Sequence, residues 1–213
     1  MFALAPDGVV VITDTLATTV PGDPYLLVTK CGIVPHLDLV VAGTGTANLS
    51  ERWRTMVYGH LLCRDIEMLD LHAPAALRDL WNEIQKEFPH AADELMTSTV
   101  YHLGRSERTG EYVGFVYRSA DNFVSEPMGP GFRVKPEPVS QLTAAPESIE
   151  EMAELAHQIR AEQNTLPKSE RIHIGGELVL VMMQSGSTTA AKIHRYEDFE
   201  NVWQEMNDLL AGS

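Results

Sequence analysis

Asp14 and Lys30 are the two residues whose types and placing could support chemistry in this chain. Asp14 closes the β-branched run Val9-Val10-Val11-Ile12-Thr13, and Lys30 stands near the end of the stretch from Tyr25 to Cys31, which predicts a strand. A lysine and an aspartate on adjacent strands are either a working pair or an ordinary cross-strand ion pair, the latter worth roughly a few tenths of a kcal/mol if exposed. Cys31 adjoins Lys30, and a thiol beside a lysine can be reactive. Neighbours on a strand point to opposite faces, however, so a buried structural cysteine is the simpler expectation. Cys63 is expected on the apolar helix and reads as core.

The 8 histidines are scattered. His173 and His194 fall on what read as neighbouring late strands, but no His-Glu-x-x-His spacing accompanies them, so no metal site is expected. Gly43-Thr44-Gly45-Thr46 precedes a helix and could hold an anion at its N-terminus. It lacks the Lys-Ser/Thr of a phosphate loop and the third glycine of a dinucleotide turn, so a strand-to-helix turn is expected and no cofactor.

The elements that must position these residues follow from local pattern. Phe2 to Ala5, the Pro6-Asp7-Gly8 turn and the run to Asp14 predict a hairpin. Leu37 to Ala42 predicts a buried strand, and Leu49, Trp53, Met56, Val57, His60 and Leu61 recur at helical spacing after it. A second helix is expected after Pro74, with Leu77, Leu80, Trp81, Ile84 and Phe88 inward. Thr99 to Leu103 and Tyr112 to Arg118 predict a hairpin, with Phe123 to Ser125 as a further strand. Pro127 to Pro146 reads as irregular. Ser148-Ile149-Glu150-Glu151 is a capping box opening a third helix. Glu177 to Met183 is an apolar strand paired with Ala190 to Tyr196 across the turn that starts at Ser185-Gly186. Asp198 then caps a last helix with Phe199, Val202, Trp203, Met206 and Leu210 on one face. Grouped rather than alternating elements indicate an α+β fold with antiparallel sheets, best fitted by a four-layer αββα sandwich.

At 213 residues the chain is expected to form one domain, 1–213. A net charge of -14 disfavours nucleic acid and anionic membranes, because both need Lys and Arg against phosphate. Two cysteines argue against a disulfide scaffold and make a reducing cytoplasm the default. No apolar run approaches a membrane span, and the first strand is too quickly followed by Asp7 to be a signal peptide.

The order of the hairpin with Asp7-Gly8, Thr13-Asp14, Lys30 and Val40-Val41-Ala42-Gly43 resembles the proteasome β-subunit and HslV family of N-terminal nucleophile hydrolases. The first 60 residues carry most of the likeness, with a weaker echo in Gly175-Gly176-Glu177-Leu178-Val179. That family attacks amides with a terminal Thr, Ser or Cys whose proton is taken by a nearby base. The resemblance makes Asp14 the orienting acid and Lys30 the lysine of the pocket, and it implies a homo-oligomer, possibly a ring.

The likeness stops at the chemistry. Met1 falls a few residues inside the family's first position, and neither it nor Phe2 carries a hydroxyl or thiol. The family's supporting Ser-Gly-Ser turn maps near Gly129-Pro130-Gly131, and its second aspartate near Arg171. The expectation is therefore a proteasome-like subunit or binding module without peptidase activity, Asp14 and Lys30 being remnant catalytic residues. The alternatives are an active amidohydrolase whose true N-terminus differs from Met1, and a protein that binds a peptide or small molecule in the vacated cleft.

Overall fold

The computed structural model describes residues 1–19, 22–59, 62–88, 97–140, 142–168 and 170–211, with Leu210 described by its backbone alone. The chain opens with the hairpin β1 (Phe2–Ala5) and β2 (Gly8–Asp14), the short ribbon β3 (Leu16–Thr18) and β4 (Pro24–Leu27), then β5 (Cys31–Val34) and β6 (Leu39–Gly45). Helices α1 (Ala47–Gly59) and α2 (Ile66–Glu87) follow. Strands β7 (Ser98–Arg105), β8 (Tyr112–Arg118), β9 (Glu126–Met128) and β10 (Gly131–Arg133) lead to α3 (Ile149–Asn164). The chain ends with β11 (Glu177–Gln184), β12 (Ser187–Arg195) and α4 (Phe199–Ala211).

One five-stranded sheet has the order β10-β1-β2-β11-β12, and a second the order β5-β6-β7-β8-β9. The second is antiparallel throughout, with Val41 opposite both Gly32 and His102. In the first, β11 and β12 are antiparallel, and Met1 and Ile12 exchange both backbone hydrogen bonds at 2.9 Å. The α+β class with two sheets is thus the one the sequence implies. The chain forms two compact units: Met1–Ala3, Val10–Thr29 and Phe132–Ser213 make one, Leu4–Val9 and Lys30–Gly131 the other.

The second unit is built on α1 and α2. Leu49, Trp53 and Val57 of α1 share a core with Ile66, Leu69, Ala73, Leu77, Leu80 and Ile84 of α2 and with Val41, Val100 and Tyr117 of the sheet. His60 and Leu61, expected on the α1 stripe, lie outside the described residues. Helix α2 starts two turns before the expected position, and Pro74 lies inside it. Asp65 explains the earlier start: its Oδ1 accepts the Met68 N–H at 2.9 Å, and Ile66 and Leu69 extend the buried stripe. Pro74 sacrifices one backbone hydrogen bond, and burial on the same face outweighs that loss. The strand expected from Phe123 to Ser125 is a turn instead. Asn122 and Phe123 have positive φ, and the Phe123 ring is buried edge-on to Trp81; pairing resumes only at β9.

A polar chain runs through this core. Trp53 Nε1 donates to His102 Nε2 at 2.8 Å, the His102 ring packs on Tyr117 at 4.8 Å, and Tyr117 Oη donates to Asp70 Oδ1 at 2.6 Å. Ser125 Oγ donates to the same Asp70 oxygen. Burial alone pushes His102 down to about 3.

In the first unit Ile12, Met152, Ala156, Leu178, Leu180 and Tyr196 form the core, with Met1, Val10 and Phe132 packed against it. The capping box is present: Ser148 Oγ accepts the Glu151 N–H at 3.1 Å. Helix α4 departs from expectation. Met206 is buried, but Trp203 is 48% exposed and Phe199 and Val202 are half-buried; the Leu210 side chain lies outside the described residues. The helix packs on β4, a four-residue strand that covers little of its apolar stripe.

Because His102 is held neutral in the fold and titrates near 6.5 when unfolded, its contribution is present above about pH 6.5 and is lost as pH falls towards about 3. Replacing His102 with Leu is expected to leave the Trp53 N–H unpaired at a cost of about 1–3 kcal/mol near neutral pH. The same change flattens the acid side of the stability profile by up to one proton, read by urea unfolding at a series of pH values.

Candidate functional site

Asp14 ends β2, and its carboxylate is fixed by backbone donors. Oδ2 accepts the Leu16 N–H at 3.2 Å and the Gly175 N–H at 3.1 Å. Thr15 completes the junction: its Oγ1 accepts the Glu177 N–H at 2.9 Å, and its carbonyl accepts the Val28 N–H at 2.7 Å. The N–H groups of Thr15 and Leu16 both reach the Gly175 carbonyl, at 3.3 and 3.2 Å. The Gly175-Gly176 pair makes this approach possible. Gly176 sits at φ +76°, and a Cβ there would stand 2.3 Å from Thr15 Oγ1.

Behind the junction lies a charged group that the sequence did not single out. Tyr196 is buried, its hydroxyl has no hydrogen-bond partner among the described residues, and the Arg160 guanidinium sits 4.2 Å over its ring. Burial raises the Tyr196 hydroxyl above its ordinary range; the charge of Asp14 adds to this and Arg160 opposes it. Arg160 Nε donates to the Ile174 carbonyl at 2.9 Å, and its Nη2 pairs with Asp198 at 2.5 Å. Asp198, read as a helix cap, therefore spends its carboxylate on Arg160. A single tyrosine at a strand end carries no motif, and the group emerges only when α3 and β12 come together.

Met1 behaves as a strand residue. Its amino group donates to the Ile12 carbonyl, and its side chain packs on the core around Ile12, Met152 and Leu178. Asp14 lies two residues beyond Ile12 along β2. Lys30 belongs to the other unit, in a bend before β5, where its carbonyl accepts the Gly43 N–H at 3.4 Å. The strand expected from Tyr25 to Cys31 is therefore broken into β4 and β5. Cys31 is buried, as expected, whereas Cys63 is half-buried in the connection between α1 and α2. Gly129-Pro130-Gly131 joins β9 to β10, and Arg171 Nη1 donates to Asn164 Oδ1.

The two late histidines do not meet. His173 precedes β11 with Nε2 3.2 Å from the Lys168 carbonyl, whereas His194 packs against His157 of α3. Among the described residues no group of three or more His, Cys, Asp or Glu is placed to hold a metal ion.

No protein-family model and no curated protein matches the chain. Solved structures do. Anbu (ancestral beta-subunit) from Yersinia bercovieri superposes with a TM-score of 0.60 at 13% identity, covering 99% of this chain and 92% of its own. The helical assembly of the Anbu complex from Pseudomonas aeruginosa gives 0.59 at 13% identity, with 99% and 92% covered. Anbu from Hyphomicrobium sp. strain MC1 gives 0.58 at 16% identity, with 99% and 94% covered. The likeness shows a proteasome-like α+β fold, the class the sequence implies.

The junction makes a direct prediction. Asp14→Ala leaves the Gly175 N–H without its acceptor, while the Leu16 N–H keeps the Gly175 carbonyl, and is expected to lower stability by about 1–3 kcal/mol. Gly176→Ala forces a side chain into positive φ and onto Thr15, with a loss of roughly 1–3 kcal/mol. Asp14→Asn keeps an acceptor oxygen and is expected to be the mildest of the three; urea midpoints rank them.

Proposed function

We propose that this chain is a proteasome-like subunit, one domain over 1–213, that works without peptidase chemistry at Met1 as an oligomeric subunit or binding module. The observation that carries this reading is the state of Met1. Peptide cleavage on this fold needs a hydroxyl or thiol whose proton passes to a base. Met1 offers neither, and its side chain is packed on the core rather than presented to a substrate. Asp14 and Lys30 are in this reading the retained acid and lysine of the ancestral site. Asp14 keeps a second role that needs no catalysis, since its carboxylate joins β2 to the start of β11.

Self-association is carried over from the fold, one of whose members is described as a helical assembly. The partner is then a second copy of this chain, and the ligand of a binding module a peptide or small molecule. The net charge of -14 speaks against nucleic acid. Among the described residues no helix is long and apolar enough to cross a membrane. The two cysteines, both free, suit the cytoplasm as its location.

The protein isolated from its own cell decides between the readings by intact mass, sedimentation velocity and hydrolysis of a fluorogenic peptide panel. A chain starting at Met1 is expected to sediment as an assembly larger than a monomer and to cleave no peptide above background. Lys30→Ala is expected to leave that background unchanged. A mature chain starting on Thr, Ser or Cys, with cleavage abolished by Lys30→Ala, overturns the proposal in favour of an active hydrolase.

A further inference from the structure

We propose that His157 and His194 form an acid-sensitive clasp holding α3 on β12, closed when both imidazoles are neutral and opened when both are protonated. The two rings come from elements far apart in the chain and meet with centroids 4.2 Å apart and planes at 86°. Each also packs on Tyr196, at 5.2 Å and near-perpendicular. Both histidines are half-buried, so the contact is screened less than a surface pair yet stays within reach of protons.

Charge decides the clasp's behaviour. Two imidazolium ions at this distance repel strongly, so a charge on one ring opposes a charge on the other. The surrounding charges add to the asymmetry. Burial first, then His194 and Arg160, hold His157 below the ordinary histidine range, while Glu154 pulls the other way. Arg160 is itself tied to Asp198, and Asp14 acts on the same Tyr196 against which both imidazoles rest. A folded-state value below 6.5 means that the clasp's contribution is present above about pH 6.5 and is lost as pH falls below it.

Tyr196 links the clasp to the rest of its unit. Its ring shares a core with Ile12, Leu178 and Met152, and Met1 packs on the same cluster. Opening α3 from β12 uncovers that ring and loosens the packing behind the Asp14 junction. The clasp does not depend on whether the chain hydrolyses anything, so it stands apart from the proposed function.

The test uses the full chain with labelled histidines. Imidazole titration by NMR and amide hydrogen exchange are followed between about pH 7.5 and about pH 5.5. In the native protein the His157 imidazole is expected to titrate below the ordinary histidine range. The α3 protection factors are expected to fall at least about tenfold more than those of α2, the control for acid effects centred on His102. In His194→Gln the His157 step moves to higher pH and the selective loss from α3 disappears. A native His157 midpoint at or above the ordinary histidine range, an unchanged His157 midpoint in the variant, or equal losses in α3 and α2 would each overturn the clasp. The native titration alone decides the matter should the variant fail to fold.

Discussion

One carboxylate oxygen, Oδ2 of Asp14, joins the beginning of this chain to its end. Its acceptance of the Gly175 N–H spans 161 positions of sequence, a contact made only after most of the chain has been placed. The bond is one of a set: Thr15 Oγ1 takes the Glu177 N–H, and two further N–H groups share the Gly175 carbonyl. Together they fix β11 beside β2, and β12 is aligned in turn through its pairing with β11. Where β12 goes, His194 and Tyr196 go, and with them the surface on which α3 seats its own His157. A glycine pair with one residue at positive φ is the condition for the whole arrangement, since any side chain at Gly176 would occupy the space of the Thr15 hydroxyl.

Both units bury histidine among aromatic rings, with different consequences. His102 is sealed between Trp53 and Tyr117 and accepts a hydrogen bond from the indole N–H, so the neutral form is the one the fold holds. Its charge state is settled by the fold and changes only in strong acid. His157 and His194 lack such a seal and lean on each other and on Tyr196. Burial disfavours charge in one unit, and burial combined with a like neighbour disfavours it in the other.

What the sequence disclosed was local, and what it withheld was made by distant residues. The Asp7-Gly8 turn, the Ser148 capping box and the apolar β11 run are legible because neighbouring residues determine them. The α2 start was missed because Pro74 is a strong signal and Asp65 a weak one. What decides between them is the burial of Ile66 and Leu69 beneath tertiary partners. Phe123 reads as a strand residue by propensity, yet packing on Trp81 draws it into a turn with positive φ. Helix α4 has a clear apolar stripe, but the strand that packs on it, β4, is four residues long. Of the candidate site, Asp14 was legible from its place at a strand end. Tyr196, Arg160 and His157 were not, because the two elements that bring them together are separated by the β11 strand and its turn.

The register of the first hairpin ties Met1 to a structural role. Side chains alternate along a strand, so slipping β1 by one residue would turn Met1 out of the core and bring Phe2, now buried, to the opposite face. Neither arrangement brings a thiol or a hydroxyl from β1, because no residue from Met1 to Ala5 carries one. On the proposed reading, then, loss of chemistry required no change of fold. The Asp14 carboxylate holds β2 to the start of β11 whether or not it serves any chemistry. A carboxylate that ties two strands together is needed for that use, so its presence alone is no sign of catalysis.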